Sequence, residues 1–261
     1  MKTPITYYGG KQSMLNIILP LIPEHEIYCE PFFGGGAVFF AKGPASVEVI
    51  NDTNHEVVNF YSVVKTKLAK LQALINRTLH SRDAHRHAKV IYNNADMFTD
   101  VQRAWAFYTL ANQSYSSDLS AGWTYDNKQN KVPRRIAAKN KNFTDEYAER
   151  LSNTQIECDD AINVINCRDS ADTFFYIDPP YFQVHQGHYN GYKLADFELL
   201  LQTLSSIKGK FLLSSYPGES LSQYVAANGW LSEHHNGHIQ IGAREGKTKK
   251  KTEVLTRNYI I

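Results

Sequence analysis

The chain predicts an α/β fold, a mixed and mostly parallel sheet interrupted by a mostly helical insertion. Three observations carry this. Short runs of β-branched and aromatic residues alternate with longer stretches whose apolar positions recur at helical spacing, the pattern of βαβ units. That alternation stops near residue 76 and resumes near residue 151. At 261 residues, 43% apolar and 21% charged, the chain is large enough for one core with an insertion and too apolar for extended disorder.

In chain order, Ile27-Tyr28-Cys29-Glu30 and Val47-Glu48-Val49-Ile50 read as short buried strands. Val57, Tyr61, Val64, Leu68, Leu71 and Ile75 then keep the spacing of one helix face. Within the insertion, residues 101–113 read as a helix, with Ala104-Trp105-Ala106-Phe107-Tyr108 as its core face. Trp123-Thr124-Tyr125 and the basic run after Asp126-Asn127-Lys128 are expected to pair as a hairpin, because Asp-Asn favours a turn. Thr173-Phe174-Phe175-Tyr176-Ile177 and residues 210–215 are two further buried strands. Between them Phe197, Leu200, Leu201, Leu204 and Ile207 mark a helix. Residues 254–261 are expected to return as a final strand. The expected division is therefore 1–75 with 151–261 as one discontinuous domain, and 76–150 as the insertion.

Net charge is +2, but its distribution is uneven. Residues 128–141 contain Lys128, Lys131, Arg134, Arg135, Lys139 and Lys141 and no acid, and residues 242–257 carry a local +4. The other 231 residues therefore carry −8. Two basic segments on an acidic body suit a polyanion-binding face. No apolar run approaches the ~18–20 residues of a membrane span, and MKTPITYYGGK has no signal-peptide core. Cys29, Cys158 and Cys167 form no C-x-x-C pair, which argues against a disulfide framework or a structural zinc site and for a reducing, cytoplasmic setting. His85-x-His87 and His234-His235-x-x-His238 lack the acids or thiolates that complete a metal site, so surface histidines and no metal are expected.

Two constellations carry chemistry. The first is Glu30-Pro31-Phe32-Phe33-Gly34-Gly35-Gly36, a strand ending in an acid followed by a glycine turn into a helix. Glycines there let the backbone approach a ligand at the carboxyl edge of a sheet. Asp52, 22 residues beyond Glu30, lies where an acid can accept from ribose hydroxyls. The loop lacks the third glycine of a dinucleotide fingerprint and the G-K-[ST] ending of a phosphate loop. A cofactor without a pyrophosphate, such as S-adenosylmethionine, suits it, and a tight strand-to-helix turn is the plain alternative. The second constellation is Asp178-Pro179-Pro180-Tyr181 directly after the apolar strand. A carboxylate and a rigid Pro179 carbonyl match the two hydrogens of an exocyclic amine, and Tyr181 offers a face to a planar ring.

These two motifs in this order resemble the Dam-type DNA adenine-N6 methyltransferases (D12 class, alpha group). Tyr7-Tyr8-Gly9-Gly10-Lys11 is similar to their Y/W-x-G-G-K segment, and Asn51-Asp52-Thr53-Asn54 to their D-x-N element. Thr248 to Leu255 resembles the basic segment leading into their last strand. The likeness covers residues 5–65 and 170–261 well and the middle loosely. It implies a Rossmann-like S-adenosylmethionine-dependent methyltransferase fold, with S-adenosylmethionine as methyl donor and double-stranded DNA as partner. It also implies donor contacts from Tyr7, Lys11, Glu30, Phe32, Gly34, Gly36 and Asp52, with Lys11 near the donor's carboxylate. Asp178, Pro179, Pro180 and Tyr181 would meet a flipped-out adenine, with Asp178 also reaching the donor. Trp123, Tyr125, Lys128, Lys131, Arg134 and Arg135 of the insertion, with Lys249 and Lys250, are the expected DNA contacts. Methylation of cytosine N4, RNA adenine or a protein glutamine, a NAD-linked oxidoreductase, and an idle DNA-binding protein of the same fold are the alternatives.

Overall fold

A computed structural model describes residues 1–182, 191–239 and 249–261. The strands are β1 (Ile27–Glu30), β2 (Val47–Asn51), β3 (Thr154–Glu157), β4 (Thr173–Ile177), β5 (Lys210–Ser215), β6 (Leu231–Ile239) and β7 (Lys249–Arg257). The helices are α1 (Leu15–Ile18), α2 (Ala37–Ala41), α3 (His55–Arg77), α4 (Arg82–Asn93), α5 (Asp100–Gln113) and α6 (Lys131–Lys141). They continue with α7 (Glu146–Leu151), α8 (Ala161–Arg168), α9 (Leu194–Leu204) and α10 (Glu219–Asn228). One sheet runs β3-β2-β1-β4-β5-β7-β6. The first five strands are parallel, and β7 is antiparallel to both β5 and β6.

The central strands are buried on both faces, as near-continuous apolar sequence demands. The period of two splits each strand between two cores. Tyr28, Phe174, Tyr176, Leu212 and Leu255 pack on the face covered by α2, α3 and α5. Cys29, Phe175, Ile177, Phe211, Leu213 and Val254 pack on the face covered by α8, α9 and α10. Residues 76–150 share the first of these cores. Phe107 of α5 lies 5.5 Å from Phe60 of α3 and 6.1 Å from Tyr7, and Tyr147 of α7 lies 5.5 Å from Phe40 of α2.

The expected strands β1, β2, β4 and β5 and the helices α3, α5 and α9 are present. The expected hairpin is not. Trp123 bridges back to Ser114, and Thr124 N–H donates to Gln113 O at 2.8 Å. The Asp126 carboxylate accepts from the backbone N–H groups of Gln129, Asn130 and Val132, which closes a turn and starts the basic run as helix α6. His85, expected at the surface, is buried at 4% exposure, with its Nε2 2.9 Å from Ser114 Oγ. Its place on the apolar side of α4, beside Ala88 and Ile91, accounts for this.

Strand order reverses between β1 and β4, where the loops leaving their carboxyl ends diverge and open a crevice. Both sequence constellations, the glycine turn and Asp178–Tyr181, leave the sheet at this point.

Candidate active site

The glycine turn is built from its own backbone. Gly34 and Gly36 have φ of 46° and 64°, and a Cβ on Gly36 would lie 2.4 Å from Phe33 Cζ. No L side chain fits that position without displacing the phenyl ring. Gly36 N–H donates to Phe33 O at 2.7 Å and closes the turn, from which α2 departs. Asp52, just past β2, accepts from Gly34 N–H through Oδ2 and from Asn54 N–H through Oδ1, both at 2.9 Å. Burial pushes its carboxyl up to about 6, against the pull of these two N–H groups. Asn54, not Asp52, caps α3, accepting from Glu56 N–H. Tyr7 lies across Gly35, where a Cβ would come within 3.0 Å of its own Cβ.

Glu30 sits beneath this turn at 2% exposure and accepts from Tyr28 Oη at 2.7 Å. Burial raises its carboxyl to about 8, even though the Tyr28 bond opposes the shift. Phe32 is half-buried, its ring edge-on to Tyr192 at 6.3 Å.

Three residues far apart in sequence converge beside the turn. Lys11, 6% exposed, donates to Asp178 Oδ1 at 2.7 Å and to Gly9 O at 3.1 Å, and lies 3.3 Å from Glu253 Oε1. Two of the three ammonium donors serve Asp178 and Gly9, with the Glu253 carboxylate at ion-pair distance. Lys11 is therefore engaged with protein carboxylates in this structure, a fuller role than the donor-carboxylate contact that the resemblance implies. Burial alone would lower the Lys11 ammonium, but the charges of Asp178 and Glu253 outweigh it and hold it above its ordinary range. Burial pushes the Asp178 carboxyl up, against the Lys11 charge.

Tyr181 Oη lies 3.3 Å from Asp178 Oδ1 and 3.1 Å from Ser214 Oγ, and donates to Glu253 Oε1. Burial, with the nearby carboxylates, keeps the phenol neutral. Its ring centroid is 4.2 Å from that of Tyr216. Pro180, Tyr181, Phe182, Phe197, Ser215 and Tyr216 line a small pocket at this edge, while Pro179 is buried under it.

Glu253 escaped the sequence reading, which counted it only as a charge within a basic segment. The signal was parity. Glu253 and Leu255 share a strand face, so an acid at 253 points toward the core side of β7.

The expected nucleic-acid residues lie elsewhere. The Trp123 and Tyr125 rings stack at 5.5 Å and 21°, with the Arg82 guanidinium 5.1 Å and 5.9 Å from the two centroids. Lys128, Lys131, Arg134 and Arg135 are exposed on and before α6. Lys139 belongs to the same run but turns inward and donates to Thr6 Oγ1 at 2.7 Å. Burial, aided by Arg135, draws its ammonium down to about 7. Lys249 and Lys250 open β7, in backbone register with Ile239 and His238. Arg244, Lys247 and Thr248 lie outside the described residues.

A seven-stranded sheet in this order, with a glycine turn and an Asp-Pro-Pro-Tyr segment at its point of reversal, defines the α/β class of S-adenosylmethionine-dependent methyltransferases. The chain belongs to the D12 class N6 adenine-specific DNA methyltransferase family, whose model matches residues 7–237. It is 26% identical over 271 residues to the type II methyltransferase M1.LlaDCHI of Lactococcus lactis subsp. cremoris, covering 96% of this chain and 93% of the relative. It is 26% identical over 270 residues to the DNA adenine methylase of Salmonella typhi, covering 98% and 94% of the two chains. A DNA N-6-adenine-methyltransferase of Escherichia phage P1 matches at 33% over 104 residues, which is 39% of this chain and 14% of the phage protein. Members of the family are enzymes, and membership implies S-adenosylmethionine as the methyl donor.

Proposed function

We propose that this chain methylates N6 of adenine within a specific sequence of double-stranded DNA, by direct attack of the amine of a flipped-out base on the donor methyl group. One observation carries the reading. Asp178 Oδ1 is held by Lys11, while Oδ2 makes no bond among the described residues. That leaves one carboxylate oxygen open as an acceptor at the sheet edge beside the Gly34–Gly36 turn.

The residues present fit the donor. The turn carries no side chains at 34–36, and a Cβ at either 35 or 36 would intrude on Tyr7 or Phe33. Tyr7 covers the turn, and Asp52 keeps lone pairs beyond the two that hold backbone N–H groups. When bound, S-adenosylmethionine supplies an electrophilic methyl group. Gly34, Gly36, Tyr7 and Asp52 would position it, with Glu30 and Phe32 supporting the turn from below and beside it.

The target amine is unreachable while the base is paired and stacked, so the base must leave the duplex. Asp178 and the Pro179 carbonyl accept from N6, which opposes delocalisation of its lone pair into the ring. They also stabilise the positive charge that develops there. Pro180 and the Tyr181 ring form a wall for the base. No covalent enzyme intermediate is needed.

Residues 76–150 form the target-recognition region in this reading. Its support is the Trp123–Tyr125 stack with Arg82, next to the exposed cations Lys128, Lys131, Arg134 and Arg135. Lys249 and Lys250 would add phosphate contacts. Among the described residues no helix is long and apolar enough to cross a membrane. A cytoplasmic site of action fits the DNA substrate.

Methylation-sensitive sequencing of DNA from cells expressing the protein tests this reading. N6-methyladenine confined to one short motif is expected, and it should vanish with Asp178→Ala. An unmodified genome, or unchanged modification with Asp178→Ala, would overturn it.

A further inference from the structure

Glu253 reaches the site from β7, the antiparallel strand on the far side of β5 from Asp178. It is 7% exposed, and its Oε1 accepts from Ser214 Oγ at 3.0 Å and from Tyr181 Oη, and lies 3.3 Å from Lys11 Nζ. A buried carboxylate is costly unless it is paired and hydrogen-bonded, and here every one of those contacts is to a residue of the site.

We infer that Glu253 is a positioning residue for methyl transfer. By sharing the Lys11 ammonium with Asp178 and anchoring the Tyr181 hydroxyl, it keeps Asp178 turned toward the substrate amine. The inference rests on the reading of Asp178 given above and adds a second acid to it.

Two physical consequences separate this arrangement from a simple Lys11–Asp178 pair. Glu253 gives the buried Lys11 ammonium a second carboxylate, so its charge does not rest on Asp178 alone. With Glu253 on its other side, Lys11 spends only one donor on Asp178. Charge is the second consequence. Glu253 adds a second buried acid beside the Lys11–Asp178 pair, which favours positive charge developing at the N6 atom. Without Glu253 the field that stabilises the transition state is weaker.

Among the described residues, the groups facing this set are Lys11, Tyr176 on β4, Asp178 and Tyr181 after β4, Ser214 on β5 and Glu30 on β1. Tyr176 Oη is buried without a hydrogen-bond partner among the described residues. Among these groups Glu253 raises the Asp178 carboxyl, so its loss should move the acid limb of turnover to lower pH.

The test compares Glu253→Gln, Glu253→Asp and Asp178→Ala in the full chain, with S-adenosylmethionine and a duplex containing the target motif. Glu253→Gln is expected to lower kcat by about 10–100-fold, with the donor KM within about threefold. Its acid limb should shift downward. Glu253→Asp, which keeps the charge, should recover part of kcat. Turnover within twofold of the native enzyme with an unmoved acid limb would overturn the inference. So would a lower melting temperature with normal kcat per folded molecule. If Glu253→Gln fails to fold, Glu253→Asp decides: a kcat loss at unchanged donor KM supports the role, and native kcat ends it. Asp178→Ala should be inactive throughout. If it turns over, the reading of Asp178 itself has failed; if it is inactive while Glu253→Gln is native-like, only the inference about Glu253 has.

Discussion

Lys11 and Asp178 stand 167 residues apart in the chain, yet Lys11 Nζ donates to Asp178 Oδ1 at 2.7 Å in a site where both side chains are largely buried. Lys11→Met keeps most of the length of the side chain and removes its charge. Asp178 and Glu253 then face each other with no buried cation between them. The expected loss is about 3–5 kcal/mol of stability, typical of breaking a buried pair, together with loss of methyl transfer. Urea unfolding and a methyl-incorporation assay on the folded fraction would measure the two effects separately.

Gly36 is the position in the turn where a side chain is excluded twice, by its φ of 64° and by the Phe33 ring. Gly36→Ala should cost about 1–3 kcal/mol and weaken donor binding. Gly43 has open space around the same added atom, so Gly43→Ala should be tolerated. Thermal melts with and without S-adenosylmethionine would separate the two positions. A Gly36→Ala protein with native stability and native ligand shift would contradict the role assigned to the turn.

Glu30 holds its proton to about pH 8 when folded, against an ordinary value of 4.5. Between these values the folded state binds a proton that the unfolded state lacks, so this group's contribution to stability falls as pH rises through the window and is flat above it. Glu30→Gln removes the dependence. The stability of the variant relative to the native chain should therefore rise from about pH 5 to about pH 8 and then level off. Denaturant titrations at intervals across that range give the curve directly.

Lys131 and Arg134 project from α6 into solvent, and phosphate contact is their proposed task. Replacing both with glutamine should weaken binding about equally for target and non-target duplexes. The slope of log K against log salt should become shallower by about two. Fluorescence anisotropy at several salt concentrations tests this. An unchanged slope would place the DNA on another face.

Much of the frame was legible because it is written in local periodicity. Strand β4 is a threonine followed by four consecutive apolar residues, so its burial on both faces could be read directly, as could the helical spacing along α3. Strands β3 and β6 were not legible: Thr-Gln-Ile-Glu and Leu-Ser-Glu-His-His read as polar, and pairing with β2 and β7 is what makes them strands. The basic run was misread as a hairpin because Asp-Asn permits a turn, while the helix start depends on where the Asp126 carboxylate points.

By itself, the sequence determined that the sheet is mostly parallel, that a glycine turn and Asp-Pro-Pro-Tyr both follow buried strands, and which family those motifs resemble. It could do so because each feature depends on neighbours a few residues away. Only the tertiary structure decided that Lys11 pairs with Asp178, that Asp52 holds Gly34, that Lys139 turns inward, and that Glu253 joins the site. Those relationships are set by strand order and register. Register brings groups distant in the chain, as far apart as Lys11 and Asp178, within hydrogen-bonding distance and leaves no mark on the local pattern of either segment.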